Sequence, residues 1–84
     1  MLSRQARIGA RLRLFREARG LSQLALAKLS GVGQGWISAI EAGRVRNPGI
    51  LTLARLARVL EVSVARFIEG PEPGKGETRA KEQA

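Results

Sequence analysis

The sequence predicts an all-α fold: a compact five-helix domain over residues 1–70 and a flexible tail over 71–84. Three observations predict it. Apolar residues recur at helical spacing, first as Ile8, Leu12 and Phe15 and again as Ile50, Leu53, Leu56, Ala57 and Leu60. Between these stripes, residues 23–42 read QLALAKLSGVGQGWISAIEA, two short apolar-patterned segments joined through glycine. After Gly70 the composition changes to PEPGKGETRAKEQA, with two prolines, two glycines, balanced charge and only small apolar side chains.

Each helix has local signals. The first is expected from about Arg4 to Ala18, with Gly20 ending it and arginines along it. Ser22 is a natural N-cap for the second, which closes near Ser30. Gly31 then suits a turn that needs positive φ. The third runs from about Gly33 to Ala42 and stops at Gly43. At the crossing of these two helices the site must be small, as Ala27 is, while Leu26, Val32, Ile37 and Ile40 seal the angle from inside. The loop Arg44-Val45-Arg46-Asn47-Pro48 leads into a fourth helix, about Gly49 to Leu60, and Ser63 caps a short fifth carrying Val64, Phe67 and Ile68.

Composition narrows the function classes. A chain of 84 residues suffices for one small domain, which buries only about 60% of its unfolded surface and has a stability of roughly 4–10 kcal/mol. No separate sensor or catalytic domain is expected within it. No apolar run reaches the ~18 residues of a membrane span, and no signal peptide is apparent, so a soluble cytoplasmic protein is expected, away from any membrane. Without cysteine there are no disulfides or thiolate metal sites, and without His, Asp or Tyr the usual catalytic triads and carboxylate-histidine sites cannot be assembled. No catalytic residue, metal, cofactor or small-molecule substrate is therefore expected. The net charge of +8 is concentrated, because residues 1–70 hold twelve Lys/Arg against four Glu whereas 71–84 hold three of each. Such a basic domain fits a polyanionic partner, most simply nucleic acid.

Two short helices crossing through a tight turn have the form of a DNA-reading helix-turn-helix. Arg16, Leu21-Ser22-Gln23, Leu26-Ala27, Gly31-Val32, Ile37-Ser38, Ile40-Glu41, Gly43, Pro48, Leu53, Leu56-Ala57, Leu60, Val62 and Ser63 extend the match. Over roughly residues 6–70 the chain resembles the Cro/repressor, or xenobiotic-response-element, type of helix-turn-helix protein, with a lambda-repressor-like domain. The resemblance implies binding of double-stranded operator DNA, usually as a homodimer.

Helical phase assigns the reading surface. With Ile37 and Ile40 pointing inward, Gly35, Ser38, Ala39 and Ala42 face outward and Gln34 lies on the shoulder. Gln34 can pair with adenine, Ser38 can bond to several bases and Ala39 can touch a thymine methyl group, which makes Gln34, Gly35, Ser38 and Ala39 the candidate base contacts. Gly33 and Gly35 depart from the larger polar residues frequent in the family. They either permit close backbone approach or leave selectivity to DNA shape and phosphate register.

Gln23, Gly33, Arg44, Arg46 and Asn47 are the candidate phosphate contacts, Gln23 by resemblance as well as by its place at a helix start. Resemblance also implies a partly buried structural ion pair between Arg16 and Glu41. Trp36 either closes the core edge or anchors a subunit or DNA-backbone contact. Leu24, Leu29 and Leu51 point partly outward, where a protein partner or nothing at all could account for them. Val59, Val62, Val64, Phe67 and Ile68 are candidate dimer contacts that could as easily finish the monomer core. The leading expectation is a transcriptional regulator, a repressor on a pseudo-palindromic operator. The rivals are an antitoxin or accessory subunit that binds DNA with a protein partner, and a pure protein-interaction module.

Overall fold

The computed structural model describes residues 3–68, so the tail expected over 71–84 lies outside the described residues. Five helices follow one another: α1 (Arg4–Ala18), α2 (Gln23–Ser30), α3 (Gln34–Glu41), α4 (Ile50–Leu60) and α5 (Ala65–Ile68). No strand occurs among the described residues. No helix among them is long and apolar enough to cross a membrane.

Local chemistry sets the boundaries. The Ser3 hydroxyl accepts from the Ala6 amide at 3.1 Å and starts α1. Ser22 does the same for α2, accepting from the Ala25 amide at 3.0 Å. Gly31, at φ 78°, closes α2 in the left-handed region, with its amide donating to Ala27 O. Gly33 and Gly49 cap α3 and α4 without any side-chain bond, so both helices begin with open backbone donors. At α5 the cap is Ser63's backbone carbonyl, which accepts from the Arg66 amide at 3.1 Å.

Ile8, Leu12, Leu26, Val32, Ile37, Ile40, Leu53, Leu56, Ala57, Leu60 and Phe67 form one buried cluster drawn from every helix. Phe15 packs on its edge, its ring 5.7 Å from that of Phe67. One member of the sequence stripe departs. Ile50 is 68% exposed because it occupies the first turn of α4, ahead of the point where that helix meets the core.

A buried polar anchor and a close backbone approach hold the helices in place. Arg11 is buried and donates to the carbonyls of Phe67 and Ile68 at 3.3 Å each, satisfying the C-terminal carbonyls of α5. Gly9 lies where α1 crosses the end of α3, and a Cβ there would overlap the Ile40 and Glu41 carbonyl oxygens. The close approach requires glycine.

Candidate nucleic-acid interface

The angle between α2 and α3 is filled as a helix-turn-helix demands, with Leu26, Ile37 and Ile40 at 2% exposure or less and Val32 at 7%. With those residues inward, the opposite side of α3 is presented to solvent. Gln34 and Gly35 are exposed, and Ser38 and Ala39 are half-buried. Nothing lies within 4 Å of the Cβ positions of Gly33 and Gly35, so the helix start is open at those two positions. The surface carries few functional groups. Two features favour an anion at this end: backbone amides without a side-chain cap and the positive end of the α3 dipole.

Behind this face lies a buried brace. Arg16 Nε donates to Glu41 Oε2 at 2.7 Å and Nη2 to Oε1 at 3.0 Å, a two-pronged pair whose side chains are 10% and 5% exposed. Arg16 Nη1 also donates to the Leu21 carbonyl at 2.7 Å. The Glu41 bond raises the Arg16 guanidinium above its ordinary pKa, with burial opposing and the neighbouring negative charges assisting. α1, the α1–α2 turn and the end of α3 are thereby locked together.

Gln23 joins the same brace, its Nε2 donating to Glu41 Oε1 at 3.0 Å. This bond was not evident in the sequence. It fixes the Gln23 side chain and commits one of its two N–H donors to protein, leaving the second for an outside acceptor. Arg13, also missed, lines an open depression with Arg16, Gln23, Ser38, Glu41 and Ala42, and pairs with Glu17 at 3.1 Å. Only a three-dimensional view of the α1–α3 contact brings Arg13 beside Ser38.

The remaining candidates divide. Arg44 and Arg46 are exposed in the loop after α3, and neither forms an ion pair with a described residue. Asn47 is partly committed, since its Oδ1 accepts from the Gly49 amide at 3.2 Å and shapes the entry to α4. Only its amide N–H groups remain for a phosphate.

Two expectations are revised. Phe67 is fully buried and spends its surface on its own core, which removes it from any dimer contact, whereas Val59, Val62, Val64 and Ile68 are partly buried at the core's edge. Trp36 does not close the core: it is 44% exposed, because Ile37 and Ile40 already fill the inward side of α3. Leu24, Leu29 and Leu51 are 49%, 63% and 65% exposed, as their helical phase implies.

This architecture is a lambda-repressor-like helix-turn-helix domain, with α2 and α3 as the crossed pair and α3 as the exposed member. The helix-turn-helix domain family profile matches residues 7–67, and the chain belongs to that family, of the Cro/xenobiotic-response-element type. It is 42% identical over 64 residues to the HTH-type transcriptional regulator PuuR of Escherichia coli, covering 76% of this chain and 34% of PuuR. It is 36% identical over 62 residues to the HTH-type transcriptional regulator SinR of Bacillus subtilis, covering 74% of this chain and 56% of SinR. The match thus spans less than two thirds of either curated relative.

Among solved structures, SinR in complex with DNA superposes with a TM-score of 0.70 at 37% identity, covering 71% of this chain and 95% of that one. The restriction-modification controller protein C.AhdI of Aeromonas hydrophila gives 0.71 at 34% identity, covering 76% and 96%.

Proposed function

We propose that this chain is a sequence-specific transcriptional repressor that binds a pseudo-palindromic operator as a homodimer. The observation that carries this reading is the open face of α3, held rigid from behind by the Arg16–Glu41–Gln23 brace in a domain with a large excess of positive charge. A major groove about 12 Å wide admits such a helix. Gln34, Gly35, Ser38 and Ala39 would meet base edges. Gln23, Gly33, Arg44, Arg46 and Asn47 would set the register on phosphates. A dimer would place its two α3 helices about 34–36 Å apart, one turn of duplex. Its contact would draw on Val59, Val62, Val64 and Ile68.

The domain boundary proposed is 1–70, with 71–84 as the tail. Similarity to SinR in complex with DNA supports the DNA partner. A second reading, an antitoxin or accessory subunit that binds DNA with another protein, is favoured by the exposed Leu24, Leu29 and Leu51. The SinR protein/SinI protein complex, with a TM-score of 0.76 at 30% identity, supports it as well.

The test is selection from random-sequence duplex DNA at two salt concentrations, with sequencing of the bound pool, for the natural chain and for Gln34→Ala. The repressor reading expects an inverted repeat that the variant relaxes. Binding that is steeply salt-dependent but motif-free would move specificity to a partner and favour the second reading. A chain that binds no duplex at either salt would defeat both.

A further inference from the structure

The only tryptophan of the chain stands half-exposed on the first turn of α3, where the core has no use for it. Leaving an indole in water forgoes a large burial gain, and Trp is an amphipathic side chain suited to a surface with an apolar part and a polar acceptor. Its indole N–H makes no hydrogen bond to any described residue.

Its position on the helix defines what it would meet. At 100° per residue, with Ile37 and Ile40 inward, Gln34 and Trp36 lie on opposite shoulders of α3, about 90° and about 70° from the inward direction. Gln34 shares its shoulder with Glu41, the residue gripped by Arg16 and Gln23, so that side abuts the start of α2. Trp36 has the other shoulder.

A helix with side chains is about 10–12 Å across and the major groove about 12 Å wide, so a helix lying in the groove turns its shoulders towards the two walls. Those walls are sugar and phosphate. The neighbours of Trp36 add no bulk, since Gly33 and Gly35 have open space at their Cβ positions and Ala39 and Ala42 are small. The helix can therefore sink until the indole meets a wall.

We infer that Trp36 is a DNA-backbone contact that sets the depth and register of α3, its ring packing on deoxyribose and its indole N–H donating to a phosphate oxygen on the strand opposite the one facing Gln23. This inference rests on the DNA-binding reading above and assigns a role to a residue outside the base-reading set. Indole is uncharged, so it displaces no counterion. Its loss weakens binding without changing the salt slope, whereas each phosphate-bound arginine removed lowers that slope by about 1.

The experiment uses the full chain and a low-salt pool of random-sequence duplex DNA carrying a fluorophore. Anisotropy of the DNA reads binding, and intrinsic emission reads Trp36 alone, because the chain has a single tryptophan. The expected result is that saturating DNA quenches the emission and shields it from acrylamide. Trp36→Ala should weaken binding about tenfold at every salt concentration with an unchanged slope, the size of one good contact. Trp36→Phe should fall between, retaining the ring and losing the N–H.

Circular dichroism melts of both variants should match the natural chain, since the residue lies outside the core. Unchanged emission and acrylamide access at full anisotropy would overturn the inference while leaving DNA binding intact. So would a Trp36→Ala variant that binds normally, or one whose only change is weaker self-association in sedimentation. Absence of any anisotropy change with the natural chain would overturn the DNA-binding reading, and this inference with it.

Discussion

The two sides of α3 are built on opposite principles. Its inner side and C-terminal end are packed, bonded and charged: Ile37 and Ile40 are buried, Gly9 lets α1 touch the backbone, and Glu41 accepts three hydrogen bonds from Arg16 and Gln23. Its outer side offers one glycine, two alanines, a serine and a glutamine at its edge. The position of the helix is over-determined while its chemical vocabulary is small. On the DNA-binding reading proposed above, a domain so arranged would draw affinity from where the helix is held, and selectivity either from close backbone approach at Gly33 and Gly35 or from the DNA's own shape.

The largest effect should come from breaking the brace. Glu41→Ala leaves the Arg16 guanidinium, 10% exposed, without its carboxylate and Gln23 without its acceptor. Losing one partner of such a buried pair costs about 3–5 kcal/mol. Urea unfolding should show a large part of the domain's stability gone, with DNA binding lost although Glu41 need touch no base. A Glu41→Ala domain as stable as the natural chain would mean the brace is ornamental. Gly9→Ala attacks the same joint by volume. Overpacking of this kind costs roughly 1–3 kcal/mol or more, since the atoms it meets are backbone carbonyls that cannot rotate away.

The outer side should respond through DNA rather than stability. Gln34→Ala is expected to leave the unfolding midpoint unchanged and to relax discrimination at one base pair by about 1–3 kcal/mol, read by competition among duplexes substituted singly. Arg44→Ala with Arg46→Ala should weaken binding to all sequences alike and reduce the salt slope by about 2, one unit per phosphate lost. A double variant with an unaltered slope would place the loop off the backbone.

The same contrast explains what the sequence disclosed. The helices were readable because each carries its own start and stop, such as Ser22 and Gly31 around α2, and because periodicity survives in the cores of α1 and α4. The brace was readable only in part. Arg16 and Glu41 could be named by resemblance, but the Gln23 bond depends on how α2 meets the end of α3, and the need for glycine at position 9 depends on how closely α1 crosses it.

Trp36, Ile50 and Phe67 show the limit of periodicity. It gives direction around one helix but not what stands opposite, so an indole expected at the core edge is exposed and a phenylalanine offered to a partner is fully buried. Ile50 is in phase with its helix, yet that helix has not reached the core at its first turn.

The smallest expected effect supplies a control for the brace. Arg19 and Glu61 tie the end of α1 to the end of α4 at 3.1 Å, with side chains 42% and 69% exposed. It is an ion pair of the same residue types as Arg16–Glu41, but in water. The Arg19 hydrogen bond, aided by its charge, holds the Glu61 carboxyl below its ordinary pKa. A lowered folded-state value means that the tie contributes stability above the unfolded carboxylate's pKa and loses it as pH falls through the folded one. Glu61→Gln should therefore lower Tm by a small amount at neutral pH, and the difference should vanish in acid below the folded-state value. Added salt should shrink it too, since both partners are solvated. The comparison isolates charge from backbone, because Glu61 sits at φ 60° and glutamine, of nearly the same shape, meets the same backbone cost there. If Glu61→Gln were as damaging as Glu41→Ala, burial would not be what gives the brace its strength, and the contrast between the two sides of α3 would need another cause.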